Sequence, residues 1–254
     1  MLRREMRLRK ALGGTMPRKY DEQHRMPNRL IEEQAGEVFA QYVQTFRSRA
    51  HEVPVRIGSL LDSLWSFELE INDLQKKYGV GTHGALYIYG GERRIVIDKS
   101  LDPKVFPQMR GRYNYSLAHE AGHWVIHAPA LLAAEEAPEL FHEKSEPTIL
   151  CRSSQRDERE RQADRFAGFL LMPRDLVCER WYEKYGCNSR PQNVFKELQQ
   201  LRERFHLPPD SRKVFCRIAY EFSDIFAVSP EAMQIRLSEM GLIQLEEDNQ
   251  GYLL

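Results

Sequence analysis

Two histidines and a glutamate at short spacing could form a metal-dependent hydrolytic centre. His119 and His123 lie four residues apart in the segment His-Glu-Ala-Gly-His, which puts both imidazoles on one face of a helix. Such a pair can bind one zinc ion, while Glu120 between them can hold a water against the ion and accept its proton. The motif therefore predicts two metal ligands, His119 and His123, and a catalytic base, Glu120.

The neighbouring residues favour a buried helix with a single polar stripe. One helical arc carries Leu117, Ala118, Ala121, Trp124, Val125 and Ala128. Buried polar groups are costly without partners, and a metal ion would satisfy both histidines at once. The alternative, a solvated helix face that happens to carry histidines, does not fit the apolar arc. Gly122 allows close approach by a neighbouring element, and Pro129 is expected to end the helix.

His127 is not expected to be the third metal ligand. It follows His119 by eight residues, or about 12 Å of helix, whereas zinc–nitrogen bonds measure only about 2 Å. Three successive turns of a straight helix cannot converge on one ion. His127 is interpreted either as a group behind the ligands or beside the substrate, or as a hydrogen-bonded core histidine.

The predicted third ligand is Glu160, in a downstream segment with helical periodicity. The buried face of residues 157–173 is formed by Ala163, Phe166, Ala167, Leu170 and Leu171. Glu160 lies at the edge of this face, and Asp164 follows one turn later, where it could orient a ligating histidine through its other ring nitrogen. The alternative is a charged helix flank with ion pairs at i,i+4. A catalytic zinc site would leave its fourth position to water.

The two segments together resemble the ImmA/IrrE family of metallopeptidases. The likeness rests on Arg112-Tyr-Asn-Tyr-Ser-Leu-Ala-His-Glu-Ala-Gly-His-Trp-Val-Ile-His127 and on Glu160-Arg-Gln-Ala-Asp-Arg-Phe-Ala, with Leu-Leu-Met-Pro173. It implies a zincin fold of the glutamate type, with Glu160 as third ligand, Glu120 in the catalytic place and Zn²⁺ bound; Mn²⁺ is an alternative. The resemblance also implies an endopeptidase that cleaves a helix-turn-helix repressor of a mobile element or stress response.

The expected fold class is α+β, namely a mostly helical zincin-like domain with a small β-sheet and a C-terminal helix-turn-helix-like segment. The predicted parts are a basic tail (1–27), the metallopeptidase domain (28–205) and the C-terminal appendage (206–254). Helices are expected from Asn28 to about Arg47 and from after Pro54 to about Leu64. A strand at 67–71 and a hairpin of 85–89 with 94–98 should form the sheet. Its edge strand could pair with an extended substrate, or the sheet could be a simple cap.

The composition favours a cytoplasmic protein without a membrane segment. The chain of 254 residues has no net formal charge, and 42% of it is hydrophobic. No apolar run is long enough to span a bilayer, and four cysteines without a secretory leader indicate reduced thiols. One of them, Cys151, could reach the metal, although a buried structural cysteine is the more common state.

Three further segments have open roles. The basic N-terminus could touch nucleic acid or be a simple tail. Residues 129–150 carry five glutamates against one lysine and could cover a cleft or be a solvated loop. In the C-terminal segment, Ser229 and Pro230 begin a helix that Gly241 closes.

Direct DNA binding by this C-terminal segment is not expected. Residues 213–243 carry three positive and four negative charges, which disfavours contact with phosphates. Ile235 is expected to pack inward and Arg236 to face outward. The segment is therefore interpreted as a packing or partner-docking unit. Two rival functions stay open: a regulator that binds a repressor or DNA without cutting, and a component of a toxin–antitoxin pair.

Overall fold

The computed structural model describes residues 26–47, 52–89, 92–130, 146–152 and 157–246. The helices are α1 (Asn28–Thr45), α2 (Ile57–Trp65), α3 (Leu74–Tyr78), α4 (Arg110–Gly122), α5 (Glu158–Leu171), α6 (Arg174–Tyr185), α7 (Phe195–Arg204), α8 (Arg217–Phe226) and α9 (Pro230–Glu239). The strands are β1 (Glu68–Asn72), β2 (Thr82–Tyr89), β3 (Glu92–Asp98), β4 (Ile149–Arg152), β5 (Gln192–Asn193) and β6 (Ile243–Gln244). This mostly helical architecture with a small sheet confirms the predicted α+β class.

The first two helices and the main sheet lie where the sequence predicts them. The predicted strand 67–71 is β1, and the predicted hairpin is the antiparallel pair β2–β3, while the turn residues 90–91 are outside the described residues. The strand order is β1-β3-β2-β4, with β1 parallel to β3 and β4 antiparallel to β2. Strand β4 was not predicted, because four residues are too few for a period-two pattern.

Most of two predicted segments falls outside the described residues. Of the basic tail (1–27), the structure describes only residues 26 and 27. Of the acidic segment 129–150, it describes 129–130 and 146–150, and the last two of these begin β4. The proposed roles of the tail and of a covering loop therefore stay predictions.

The prediction that Pro129 ends the metal-binding helix is wrong. Helix α4 continues into a π-turn over His123–His127, and residues 128–130 are again helical. The amide of Ala128 donates to the carbonyl of His123, five residues earlier. A proline clashes with the carbonyl four residues before it in a regular helix. We attribute its tolerance here to the widened turn, which changes that register.

Helices α4 and α5 cross at the close contact that the glycine at position 122 predicts. A Cβ at Gly122 would lie 3.0 Å from the Cα of Ala163 and 3.1 Å from its carbonyl oxygen. The Tyr115 hydroxyl donates to the carbonyl of Asp164 over 2.7 Å. The crossing therefore sets the polar stripe of α4 directly against the first turns of α5.

The C-terminal helices pack on α4 through their connecting turn. Asn114 donates to the carbonyl of Ala227 over 3.0 Å, and Ser229 caps α9 by accepting from the Ala232 amide. Ile235 is 53% exposed and Arg236 only 3%, so both orientations predicted for α9 are wrong. In a short helix with few apolar residues, the two sides differ little in hydrophobicity. Tertiary contacts therefore decided which side was buried.

Arg236 is buried because it has three partners on two other elements. Its guanidinium donates to the carbonyl of Met172 over 3.1 Å and to the carboxylate of Glu32 over 2.8 Å, and it stacks over the ring of Phe169. A buried arginine is stable only when its donors are paired in this way. Arg236 therefore joins α9 to α1 and to the end of α5.

One hydrophobic core extends across the predicted domain boundary after residue 205. Its buried members include Ile31, Leu86, Phe166, Trp181, Phe222 and Leu237. The pairing of β5 with β6 also joins residues 192–193 to 243–244. The predicted division, like the helix-turn-helix character of α8 and α9, stays a prediction. Among the helices that the structure describes, none combines the length and apolar composition needed to cross a membrane.

The substitution Gly111→Ala should destabilise the protein. A Cβ at this position would lie 2.6 Å from the carbonyl carbon of Val228 and 2.7 Å from its oxygen, so the α8–α9 turn would have to move away from α4. Overpacking of this kind costs about 1–3 kcal/mol. The expected result is a lower urea midpoint of unfolding.

The matched control is Gly36→Ala, on the exposed side of α1. No atom lies within 4 Å of a Cβ built there, and alanine is favoured over glycine in a helix by about 1 kcal/mol. This variant should raise the midpoint. A midpoint unchanged by Gly111→Ala would contradict the close docking of the turn.

Candidate metal centre

The crossing of α4 and α5 brings the three predicted ligands together. His119 Nε2 lies 3.0 Å from His123 Nε2 and 3.2 Å from Glu160 Oε2, and His123 Nε2 lies 3.3 Å from Glu160 Oε1. All three residues are at least nine-tenths buried. Ligand atoms about 2 Å from a tetrahedral ion are about 3.3 Å apart. The spacing of these atoms therefore fits one small cation.

The charges of the three side chains also favour a cation. Burial by itself would raise the pKa of Glu160, but hydrogen bonds from His119 and His123 outweigh it and lower that pKa. Burial would lower the pKa of His119, yet hydrogen bonds to Asp164 and Glu160 raise it to about 10. These carboxylates stabilise positive charge at Nε2, which a proton or a metal ion can supply.

Asp164 contacts His119 on the ring side that faces away from the cluster. Its Oδ1 lies 2.9 Å from His119 Nδ1, and its side chain is 56% exposed. A neutral imidazole that donates through Nδ1 presents a lone pair at Nε2. The contact therefore directs the Nε2 lone pair of His119 toward the ligand cluster.

His127 and Gln162 orient the second histidine. His123 Nδ1 lies 3.0 Å from His127 Nδ1, and His127 Nε2 lies 3.1 Å from Gln162 Oε1. Burial lowers the pKa of His127 to about 3, with a further contribution from His123, so the ring is neutral. Since Gln162 Oε1 can only accept, His127 donates through Nε2 and accepts at Nδ1 from His123. That leaves His123 Nε2 free for the metal.

Sequence reasoning left the role of His127 open and missed Gln162. In the structure His127 contacts His123 and is not among the residues that line the cleft. Gln162 is 3% exposed and directly precedes Ala163 on the buried side of α5. A polar residue bordering an apolar face was the available signal, because such a group needs a buried partner.

Glu120 faces the cluster, and its nearest donor is the weak thiol donor of Cys151. It is 1% exposed, and apart from that thiol neither carboxylate oxygen has a partner in the described part of the chain. Burial raises its pKa, although His123 and His119 counteract this. Gly84 makes room for it, since a Cβ there would collide with Glu120 Oε1. This role of Gly84 has no sequence signal apart from a glycine inside a strand.

Cys151 on β4 lies beside the same cluster. In the part of the chain that the structure describes, His119, His123, Cys151 and Glu160 form the group able to hold a metal ion. Their ligand atoms all lie within 4.8 Å of one another. Burial raises the pKa of the Cys151 thiol well above its usual range. Both interpretations of Cys151 from the sequence, as a buried thiol and as a neighbour of the metal, fit this position.

The cluster opens into a cleft of about 680 Å³. Its walls come from β2, β4, α4, α5 and α9 and include His83, Arg112, Tyr115, Arg161, Ser229 and Ile235. His83 occupies the irregularity in the β2–β4 register, between Thr82 and Gly84, and its buried Nδ1 has no partner among the described residues. The exposed Ile235 therefore lines a cleft, which explains its orientation.

Comparison with known proteins identifies the family of the domain. Residues 68–238 match the family described as Peptidase_M78, IrrE N-terminal-like domain. The match includes both ligand helices and most of the C-terminal helix pair. It begins at residue 68, the first residue of β1. No curated protein matches the chain.

Replacement of Gln162 by leucine should weaken metal binding. Leucine removes the acceptor that holds the proton on His127 Nε2, so nothing fixes the tautomer in which His127 presents its Nδ1 lone pair to His123. Loss of such an outer partner typically lowers metal affinity 10–100-fold. The affinity can be measured by zinc competition against a chromophoric chelator.

The matched control is Gln162→Glu, which keeps an acceptor oxygen at the same place. It should retain most of the affinity. Equal zinc affinities of wild type and Gln162→Leu would show that the Gln162–His127 contact does not orient the ligand.

Proposed function

This chain belongs to the IrrE N-terminal-like peptidase family, and we propose that it is a zinc-dependent endopeptidase acting on a protein substrate. The observation that carries the proposal is the position of Glu120, a buried carboxylate facing the three convergent side chains of His119, His123 and Glu160. A purely structural metal site has no use for an additional buried acid. The cleft that adjoins the cluster gives a substrate access to the metal.

The residues of the chain have separate roles in the proposed reaction. His119, His123 and Glu160 would hold the ion, which supplies a Lewis acid that polarises the scissile carbonyl and acidifies water. Glu120 accepts a proton from the attacking water and passes it to the leaving amine.

Zn²⁺ is the proposed ion because two imidazoles and one carboxylate are typical of catalytic zinc sites. Mn²⁺ is the alternative. It prefers oxygen-rich ligand sets, whereas two of the three donors here are nitrogens. The outer contacts to Asp164 and His127 would support either ion.

The proposed substrate is a helix-turn-helix transcriptional repressor. The resemblance to ImmA/IrrE peptidases supports this class. The cleft could hold several residues of any extended chain. Among the described strands, β4 lies at the edge of the sheet beside the cluster, so it could pair with the substrate main chain. Cleavage in the cytoplasm would release the genes that the repressor holds silent. Direct DNA binding is not part of the proposal.

One observation favours a second function, a regulator that binds a repressor without cutting it. Cys151 lies close enough to the ligands to suggest a fourth protein donor, and a site closed by four protein ligands is typical of structural zinc. Retention of the metal without any cleavage of the bound partner would favour this second function.

The substitution Glu120→Gln should abolish turnover while the metal stays bound. The amide cannot accept the proton of water, and loss of a general base typically lowers the rate 10²–10⁴-fold. The purified protein would be incubated with Zn²⁺ or Mn²⁺ and the product of the adjacent gene. Fragments would then be followed by mass spectrometry, and bound metal by elemental analysis.

Glu37→Gln, on the exposed side of α1, is the control and should cleave like the wild type. Cleavage by the metal-loaded Glu120→Gln variant at the wild-type rate would refute the role of Glu120. If metal-loaded wild type bound the repressor and left it intact, the peptidase proposal would fail in favour of the regulator.

A further inference from the structure

Cys151 projects toward the same space as the Glu120 carboxylate. In the antiparallel pair β2–β4, Cys151 is the direct partner of Gly84. Side chains of directly opposed residues lie on the same face of a sheet. The Cβ direction of Gly84 points at Glu120, so the thiol of its partner must lie on the Glu120 side of the sheet.

The sulfur is within reach of the metal position. Sγ of Cys151 lies no more than 4.8 Å from the ligand atoms of His119, His123 and Glu160. In a tetrahedral site with a zinc–sulfur bond of about 2.3 Å, sulfur and nitrogen ligands are about 3.5 Å apart. A change of χ1 moves Sγ by up to about 3 Å. A rotamer change could therefore close the remaining gap without movement of the strand.

The buried carboxylate of Glu120 is a second sign that a cation belongs in this space. Glu120 is 1% exposed, and apart from the weak thiol donor of Cys151 neither of its oxygens has a partner among the described residues. A buried carboxylate without a donor is unstable unless positive charge lies nearby. The donors that could hold that charge are the two histidines, Glu160 and Cys151.

We propose that the Cys151 thiolate is the fourth ligand of the metal ion in the substrate-free protein. Binding breaks the S–H bond and forms a sulfur–metal bond, and the proton leaves to solvent. The fourth position is then closed to water, so the free protein is latent. On the premise of the proposed function, an arriving substrate displaces the sulfur, which takes back a proton from solvent. Glu120 is then next to the position that water needs.

Cobalt substitution tests the ligand directly. Metal-free protein would be loaded with Co²⁺ and its absorption spectrum recorded without any substrate. The wild type should display a thiolate-to-cobalt charge-transfer band in the near ultraviolet, and Cys151→Ser should lose it. The matched control is Cys216→Ser, which alters another buried cysteine at the start of α8 and should keep the band. Exposed Cys187→Ser should also keep it.

X-ray absorption at the zinc edge provides a measurement on the unmodified protein, in case Cys151→Ser fails to fold. The zinc-loaded wild type should contain one sulfur at about 2.3 Å. A shell of nitrogen and oxygen only, or a cobalt band that survives in Cys151→Ser, would overturn the proposal.

These results are separable from the peptidase test. A sulfur-free metal shell together with repressor cleavage would refute the fourth ligand and leave the proposed function intact. A sulfur ligand in a protein that never cleaves would refute the proposed function alone. If both proposals hold, Cys151→Ser should cleave faster than the wild type under limiting substrate, because no thiolate has to be displaced.

Discussion

The crossing of α4 and α5 brings several ionisable side chains together at the buried base of a cleft. Two imidazoles and two carboxylates would each prefer solvation, and burial without compensation costs several kcal/mol for a charged group. The backbone contact at Gly122 holds the two helices close together. A cation between the Nε2 atoms of the two rings and the Glu160 carboxylate would offset the cost of burying these groups together. The orientation of the remaining site residues follows from that requirement.

The two candidate ligand histidines, His119 and His123, have different hydrogen-bond partners. His119 is held by the half-exposed carboxylate of Asp164, a charged partner that also reaches solvent. His123 is held by a neutral, buried pair, His127 and Gln162. A charged partner increases the basicity of its ring, whereas a neutral one fixes the tautomer without adding charge. The site thus gains positional rigidity at His123 without a third buried carboxylate.

The C-terminal helix pair forms one wall of the cleft. Its turn is docked on the start of α4 through Asn114 and the space left by Gly111. Arg236, the one arginine of α9, is paired with Glu32 and the Met172 carbonyl. Ile235 faces the cleft instead. The acidic balance of this segment agrees with a role as a cleft wall.

Local patterns in the sequence determined the elements and the main donors of the site. The spacing of His119 and His123, and the place of Glu160 beside an apolar helix face, were sufficient because ligands on one helix follow its period. Only the tertiary structure decided which distant groups meet these donors. Gln162, Gly84 and Cys151 come from other helices and strands, and no local period encodes a contact across a helix crossing or a strand pair. The same reason explains the errors at Pro129, Ile235 and Arg236, where a widened turn or a distant partner overrode the local preference.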